Sequence, residues 1–266
     1  MELPRSSATA PGLVTLASAG STNDELVARA GDLDDFAVIV TDDQTAGRGR
    51  LGREWVAPAG SAVAVSVLVR PRLASGEPLA LEHYGWLPLL AGLAMTRAAA
   101  SLVPDGMRRV GLKWPNDVQV DGLKTCGILA ELLPAADGVV IGAGLNLAMT
   151  SAQLPVHTAT SLSLSGVTLR GDALADAAIS AYLENLRDLV RAFAESGGDA
   201  LGSGIHQQLT AVCTTVGSDV RVQLPGADDL LGTATGIDAA GRLVVRSPNG
   251  AALAVAAGDV THVRYE

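Results

Sequence analysis

The sequence predicts an α+β protein, with a mixed β-sheet flanked by helices over residues 1–216 and a small antiparallel barrel over residues 217–266. Three observations lead to this class. Apolar, strand-length runs such as "FAVIV", "SAVAVSVLVR" and "GVVIGAGLN" alternate with stretches of helical pattern up to about residue 216. One of those stretches, residues 79–103, has the composition of a buried helix. After Gly217 come short runs separated by Gly, Pro and Asp, the spacing of a small antiparallel barrel.

Taken in order, residues 21–32 ("STNDELVARAGD") read as a short capped helix, with polar side chains at its start, acids in its first turn and Gly31 at its end. Residues 36–44 are a buried strand running into a basic loop, and residues 61–70 are a second strand. The apolar helix of residues 79–103 follows. Residues 110–133 read as strand, turn, strand, a hairpin turn at Asp121-Gly122, and strand. Residues 138–149 supply one more strand, ending near Asn146. Residues 151–170 are rich in Ser and Thr and read as loop, and residues 171–212 have a helical pattern. The last segment breaks into strands within 218–225, 231–238, 241–247 and 251–264. There is no internal repeat and no low-complexity tail.

Composition narrows the function classes. Hydrophobic residues make up 48% and charged ones 18%, which supports a large core and argues against disorder. A formal charge of −9 argues against a general nucleic-acid surface, so an anionic ligand must be drawn in by a local basic cluster. Cys126 and Cys213 are too few for a disulfide framework or a four-cysteine zinc site and suit a reducing cytoplasm. His83, His157, His206 and His262 lack metal-ligand spacing. The start, "MELPRSSATAPG", has no apolar core for a signal peptide. The most membrane-like stretch, residues 84–103, is interrupted by Pro88 and Arg97, so a buried helix is expected and no membrane partner.

That local basic cluster is "DQTAGRGRLGREW", residues 43–55. Gly47, Gly49 and Gly52 allow close approach of backbone to a ligand, and Arg48, Arg50 and Arg53 offer planar forks for carboxylate or phosphate. A basic surface loop is the plain alternative, but Gln44 and Trp55 add an amide and an aromatic wall that a solvated loop does not need. No Gly-Lys-Ser/Thr follows, so it is not a Walker loop. In "KWPNDV", residues 113–118, Pro115 sets a turn that presents Asn116 and Asp117, an amide and a carboxylate, near a lysine and an indole. An Asp beside phosphate-binding cations suits magnesium, which takes oxygen donors and shares phosphate oxygens. A plain turn with Trp114 in the core remains the alternative. Lys124 opens an almost wholly apolar strand, where a lysine either snorkels to solvent or points into a pocket. Antiparallel pairing brings it toward the "KWPND" turn, favouring the pocket. Cys126 has no base nearby in sequence and reads as a small buried hydrophobe.

Together these segments resemble the biotin protein ligases. "STN", "DQTAGRGRLGREW", "KWPNDV", "KTCGIL" and "GAGLN" stand in that family's order and approximate spacing from Ser21 to the C-terminus. The combination carries the resemblance; "GAGLN" alone carries none. It implies a class II aminoacyl-tRNA synthetase-like catalytic fold with a C-terminal SH3-like barrel. It also implies an ATP-dependent, AMP-forming ligase that activates biotin to biotinyl-5′-AMP. The biotinyl group then passes to a lysine of a biotin carboxyl carrier domain, of acetyl-CoA/acyl-CoA carboxylase or pyruvate carboxylase. Ser21, Thr22, Asn23, Gln44, Gly47, Arg48, Gly49, Arg50, Trp55, Lys124 and Gly127 match biotin contacts. Lys124 and Arg50 match the catalytic cations, and Arg50, Arg53, Asn116 and Asn146 match the nucleotide side. Asp117 matches the Mg²⁺ ligand. Leu51 stands where some relatives carry a basic residue, which puts a loop-mediated dimer contact in doubt, and Cys126 where some carry a smaller one. Some members have an N-terminal winged-helix domain that binds an operator; here "STN" begins at Ser21, so the resemblance implies the monofunctional type and no DNA partner.

The chemistry this implies is coherent with the residues. Two anions must meet, and arginines, a lysine and Mg²⁺ offset their charge. The substrate carboxylate is itself the nucleophile, so no Ser-His or Cys-His arrangement is needed. Two rivals stand beside this reading: a lipoate or octanoate transferase, of related fold but without these motifs in this form, and a non-enzymatic module that would bind biotin without releasing pyrophosphate from ATP.

Overall fold

A computed structural model describes residues 1–104, 106, 108–223, 228–256 and 259–262. The chain opens with two elements that composition does not announce, helix α1 (Pro4–Thr9) and edge strand β1 (Leu13–Thr15). Asp176 explains the first. Its carboxylate accepts from the Arg5 and Ser6 N–H groups at 3.0 and 2.8 Å and from Ser6 Oγ at 2.8 Å, so a distant side chain satisfies donors that a helix start leaves open. Helix α2 (Thr22–Arg29) starts as expected, with Ser21 as N-cap accepting from the Asp24 N–H at 3.4 Å and Asp24 and Glu25 in the first turn. Strand β2 (Val38–Thr41) is buried throughout. The basic loop then folds as a small hairpin of β3 (Gly47–Arg48) and β4 (Glu54–Trp55), before the fully buried β5 (Ala62–Val69).

The long apolar helix is shorter than its hydrophobicity predicts. Residues Leu81–Trp86 form a 3₁₀ turn, and α3 (Leu87–Leu102) starts only at Leu87, with Pro88, which has no N–H to donate inside a helix, tolerated in its first turn. Strands β6 (Val110–Lys113), β7 (Asp117–Val120) and β8 (Leu123–Leu132) follow, with Asp121 (φ 50°) and Gly122 (φ 78°) as the expected hairpin turn. β9 (Val139–Asn146) ends at Asn146, and residues 151–170 carry no helix or strand. The helical pattern of 171–212 divides into α4 (Gly171–Glu195) and α5 (Ile205–Val212), because Gly197, Gly198 and Gly204 take positive φ and end one helix before the next begins.

The main sheet has the order β1-β2-β5-β9-β8-β7-β6. Only β1–β2 is parallel, so the sheet is mixed, as expected. Its strands have two working faces. Val63, Val65, Val67, Ile141, Ala143, Val118, Val120, Cys126 and Ile128 belong to the large core with α3 and α4, while Ile39, Leu68 and Val140 pack with Leu26 of α2. Helix α2 covers only part of that second face. Among the described residues no helix is long and apolar enough to cross a membrane.

The C-terminal segment forms β10 (Asp219–Gln223), β11 (Leu230–Ile237), β12 (Leu243–Arg246), β13 (Ala252–Val255) and β14 (Asp259–His262), antiparallel in the order β13-β12-β11-β10-β14. Its outer strands β13 and β14 do not pair with each other among the described residues, so the expected barrel is an open five-stranded sheet. The run read as one last strand is two. Parts of the expected strands, 224–225 and 263–264, lie outside the described residues. The β11–β12 turn is held against the main sheet by three ring N–H donors. Trp86 Nε1 donates to Ala239 O at 2.9 Å, Trp114 Nε1 to Gly241 O at 3.1 Å, and His206 Nε2 to Ile237 O at 2.6 Å. Trp114→Phe keeps the buried ring but leaves the Gly241 carbonyl unpaired, and a stability loss of about 1–3 kcal/mol is expected in urea unfolding. An unchanged midpoint would show that the turn is held without this bond.

Candidate active site

The site lies on the α2 face of the main sheet, where side chains run out. Strand registry places Ala64 (β5), Gly144 (β9) and Gly127 (β8) in one row and Ser66, Gly142 and Leu129 in the next. Five of these six residues are small, so the sheet has a depression that other elements fill. Asn23, from the first turn of α2, lies over Gly142, where an added Cβ would be 2.3 Å from its Oδ1. Trp55 of β4 lies over Gly144, where a Cβ would approach its indole to 2.7 Å. Gly47 admits Gln44 and Trp55 together, since a Cβ there would be 2.4 Å from both Gln44 Nε2 and Trp55 O.

Lys124 reaches this face through a fault in the ladder. Val118 pairs with Cys126 but Gln119 pairs with Lys124, so Thr125 is an extra residue on β8. Strict alternation would put Lys124 on the face of Cys126 and Ile128, under α3. The bulge turns it to the opposite face. There its Nζ stands 2.7 Å from Asp117 Oδ1 and 3.0 Å from where a Cβ on Gly127 would be. Residues 158–160 run alongside: Lys124 N–H donates to Thr158 O at 2.8 Å and Thr160 N–H to Lys124 O at 2.7 Å. Asn146 in turn donates to Thr160 O at 2.9 Å.

Around the depression, the other end is polar and closed. Gln44 Oε1 accepts from Thr22 N–H at 2.9 Å, Ser66 Oγ is 2.7 Å from Thr22 Oγ1 and donates to Asn23 Oδ1 at 2.6 Å, and Asn23 Nδ2 donates to Glu131 at 2.6 Å. Above it, Arg48 pairs with Asp24 and, at 3.1 Å, with Glu131. Arg50 Nη1 donates to Asn116 Oδ1 at 3.2 Å, while Asn116 Nδ2 donates to Ile128 O at 2.9 Å.

One pocket is therefore lined by Ser21, Thr22, Asn23, Gln44, Arg48, Gly49, Arg50, Arg53, Trp55, Asn116, Asp117, Lys124 and Gly127, from three separate parts of the sequence. Of the remaining candidates, Gly47 sits behind Gln44 and Trp55, and Asn146 lies outside the lining, tied to Thr160. Sequence reasoning missed Ala64, Leu129, Gly142 and Gly144 in the lining, and Ser66 and Glu131 behind it. The i, i+2 spacing of the two glycines in "GAG" was the available signal, because it strips one face of a strand. Cys126 is buried on the far face and burial pushes its thiol far up, so it is no nucleophile at neutral pH. Among the described residues no three His, Cys, Asp or Glu side chains converge as a metal cluster.

Residues 17–146 match the biotin/lipoate A/B protein ligase family, and residues 215–263 match the biotin protein ligase C terminal domain. Over 254 residues, 95% of this chain and 89% of the relative, the sequence is 36% identical to a biotin--[acetyl-CoA-carboxylase] ligase of Mycobacterium tuberculosis. The chain belongs to the biotin protein ligase family. Its fold is that of the biotin protein ligase from Aquifex aeolicus solved with biotin and ATP, with a TM-score of 0.71 at 24% identity over 95% of this chain and 99% of that one. The ligase from Leishmania major in complex with biotinyl-5-AMP aligns with a TM-score of 0.58 at 26% identity over 93% and 99% of the two chains.

For a biotin protein ligase family member, the bare strand face is a testable feature. Gly144→Ala is expected to fold, with an overpacking cost of about 1–3 kcal/mol, and to push the Trp55 ring off β9. Trp86 and Trp114 are buried. Acrylamide quenching of tryptophan fluorescence should therefore rise in the variant, and quenching equal to the parent's would show that the ring does not rest on Gly144.

Proposed function

We propose that this chain is an ATP-dependent, AMP-forming biotin protein ligase. It converts biotin and ATP to biotinyl-5′-AMP and pyrophosphate, then transfers the biotinyl group to a lysine of a biotin carboxyl carrier domain, that of acetyl-CoA/acyl-CoA carboxylase or pyruvate carboxylase. The observation that carries this reading is Lys124, turned by a strand bulge into a pocket whose one end is a closed polar network and whose other end is the Asn116-Asp117 turn. A long ligand with a heterocycle at one end and a carboxylate at the other suits that layout.

In this reading Ser21, Thr22, Asn23 and Gln44 meet the ring of biotin, Trp55 and the bare face at Gly127 wall its chain, and Gly47 and Gly49 let the loop backbone come close. Arg48, Arg50 and Lys124 lie along the path of the carboxylate. Arg50 and Lys124 act as the catalytic cations, offsetting charge as carboxylate oxygen bonds to the α-phosphorus and pyrophosphate leaves. Arg50, Arg53, Asn116 and Asn146 are the proposed nucleotide side, with Asn146 acting through the 158–160 segment that brackets Lys124. The donor set fits Mg²⁺: Asp117 is a single carboxylate at the phosphate end, and this ion binds through one or two carboxylates plus phosphate oxygens. Bound there, it would offset phosphate charge. In the transfer step the acceptor amine attacks a mixed anhydride, for which orientation is the main requirement.

Residues 1–216 are proposed as the catalytic domain and 217–266 as an appended domain. Two free, buried cysteines support a reducing, cytoplasmic setting, and the charge of −9 supports leaving DNA out of the partners. Biotin-dependent ATP–pyrophosphate exchange tests the reading: exchange with biotin is expected, and exchange with lipoate instead, or with neither acid, overturns it.

Lys124→Ala is expected to keep the fold and lower that exchange by on the order of 100-fold, the effect of losing one charge-stabilising contact at a reacting centre. Exchange at the parent's rate would remove Lys124 from the reaction. Asp117→Asn should raise the Mg²⁺ and ATP requirement while calorimetric biotin affinity changes little; an equal loss of both affinities would make the turn structural only.

A further inference from the structure

Glu131 is the last pocket-side residue of a strand whose Gly127 and Leu129 line the site, yet its own side chain is not part of the lining. A carboxylate near a strand end is ordinarily a solvated surface charge. This one is not left to solvent. It accepts from Asn23 Nδ2 at 2.6 Å and meets Arg48 at 3.1 Å, and its side chain is 28% exposed. We infer that Glu131 is a positioning residue of the biotin pocket, setting the direction of its buried hydrogen-bond chain and tying the arginine loop to the sheet.

The first half follows from what each group is able to donate. An ionised carboxylate only accepts, so the Asn23 atom facing it must be Nδ2. That leaves Asn23 Oδ1 facing Ser66, whose one hydroxyl proton is spent there at 2.6 Å. Thr22 Oγ1 lies 2.7 Å from Ser66 Oγ and 3.2 Å from Gln44 Oε1, with one proton for those two acceptors. Gln44 Oε1 is held by the Thr22 N–H, so Gln44 keeps its Nε2 donors on the loop side. Asn23, Thr22 and Ser66 are buried, where an amide turned the wrong way would leave polar atoms unpaired. Glu131, with the Leu129 carbonyl that the same Nδ2 meets at the longer distance of 3.4 Å, thus sets which donors and acceptors the closed end offers a ligand.

The second half concerns Arg48. Its partner Asp24 is 62% exposed, and such pairs are weak and screened by salt. Glu131 is the less exposed partner and is held in place by Asn23. Glu131 thereby ties the Arg48 side chain to the sheet and holds β3 over the pocket.

This inference rests on the ligase reading, and the test separates the two. Biotin affinity by calorimetry, KM for biotin and for ATP in pyrophosphate exchange, and amide exchange of residues 47–55 are measured for the parent, Glu131→Leu and Glu131→Gln. Leucine removes both the acceptor and the charge. It is expected to raise the Kd and KM for biotin at least tenfold, leave the KM for ATP within twofold, and lower protection of the loop. Glutamine keeps an oxygen for Asn23 but no charge for Arg48, and is expected to lower loop protection with a smaller, roughly threefold to fivefold, loss for biotin. Should the leucine variant not fold, the glutamine variant decides on the same readouts. Biotin binding within twofold of the parent in the folded variants, or equal losses for biotin and ATP, overturns the role of Glu131. A parent chain that does not bind biotin overturns the ligase reading itself.

Discussion

Where β5, β9 and β8 lie side by side, one face carries Ala64, Gly144 and Gly127 in a row. A sheet face without side chains cannot close against a neighbouring layer, because its nearest atoms are backbone. Everything else at the site is arranged around that gap. The α2 helix covers the face only as far as Leu68, Ile39 and Val140, and its first turn sends Asn23 down onto Gly142. The indole of Trp55 comes from the far side onto Gly144. What remains between them is a slot whose floor is strand backbone and whose ends differ, one a closed hydrogen-bond network and the other a charged turn.

A regular ladder would not put a cation in that slot. β8 has to serve the core through Cys126 and Ile128 and the site through Lys124, and these residues have the same parity. One extra residue, the buried Thr125, resolves the conflict by changing the parity between them. At this end of β8 the neighbouring β9 has ended at Asn146, and the Lys124 backbone is held instead by residues 158 and 160. The position of Lys124 is therefore coupled to a segment without helix or strand, which Asn146 fastens to the end of β9.

This explains what could and could not be read in the amino-acid order. Strand and helix identities were legible from periodicity, as was the Asp121-Gly122 turn, because those signals are local. The start of α3 was not, since hydrophobicity runs on through Leu81–Trp86 and only Pro88 marks the change of helix type. Most candidate site residues were legible because the loop and the two lysine-bearing segments are polar or basic where a core strand is not. Glu131 and Ser66 were not, because each is an unremarkable residue in a strand and matters only through what registry places beside it. The α1 helix was hidden for the same reason: its N-terminal partner Asp176 lies far along the chain.

Electrostatics bring these strands of argument together. Three arginines in nine positions of an acidic chain invite the view that all three await an anion. The pairing pattern divides them. Arg48 is engaged by two carboxylates beside α2, whereas Arg50 reaches to the amide of Asn116 on the turn that carries Asp117. The charge of Arg48 is thus already offset within the protein. The same reasoning applies to Lys124 and Asp117, which hold each other at 2.7 Å. An anion that approaches this ammonium competes with a carboxylate already in place.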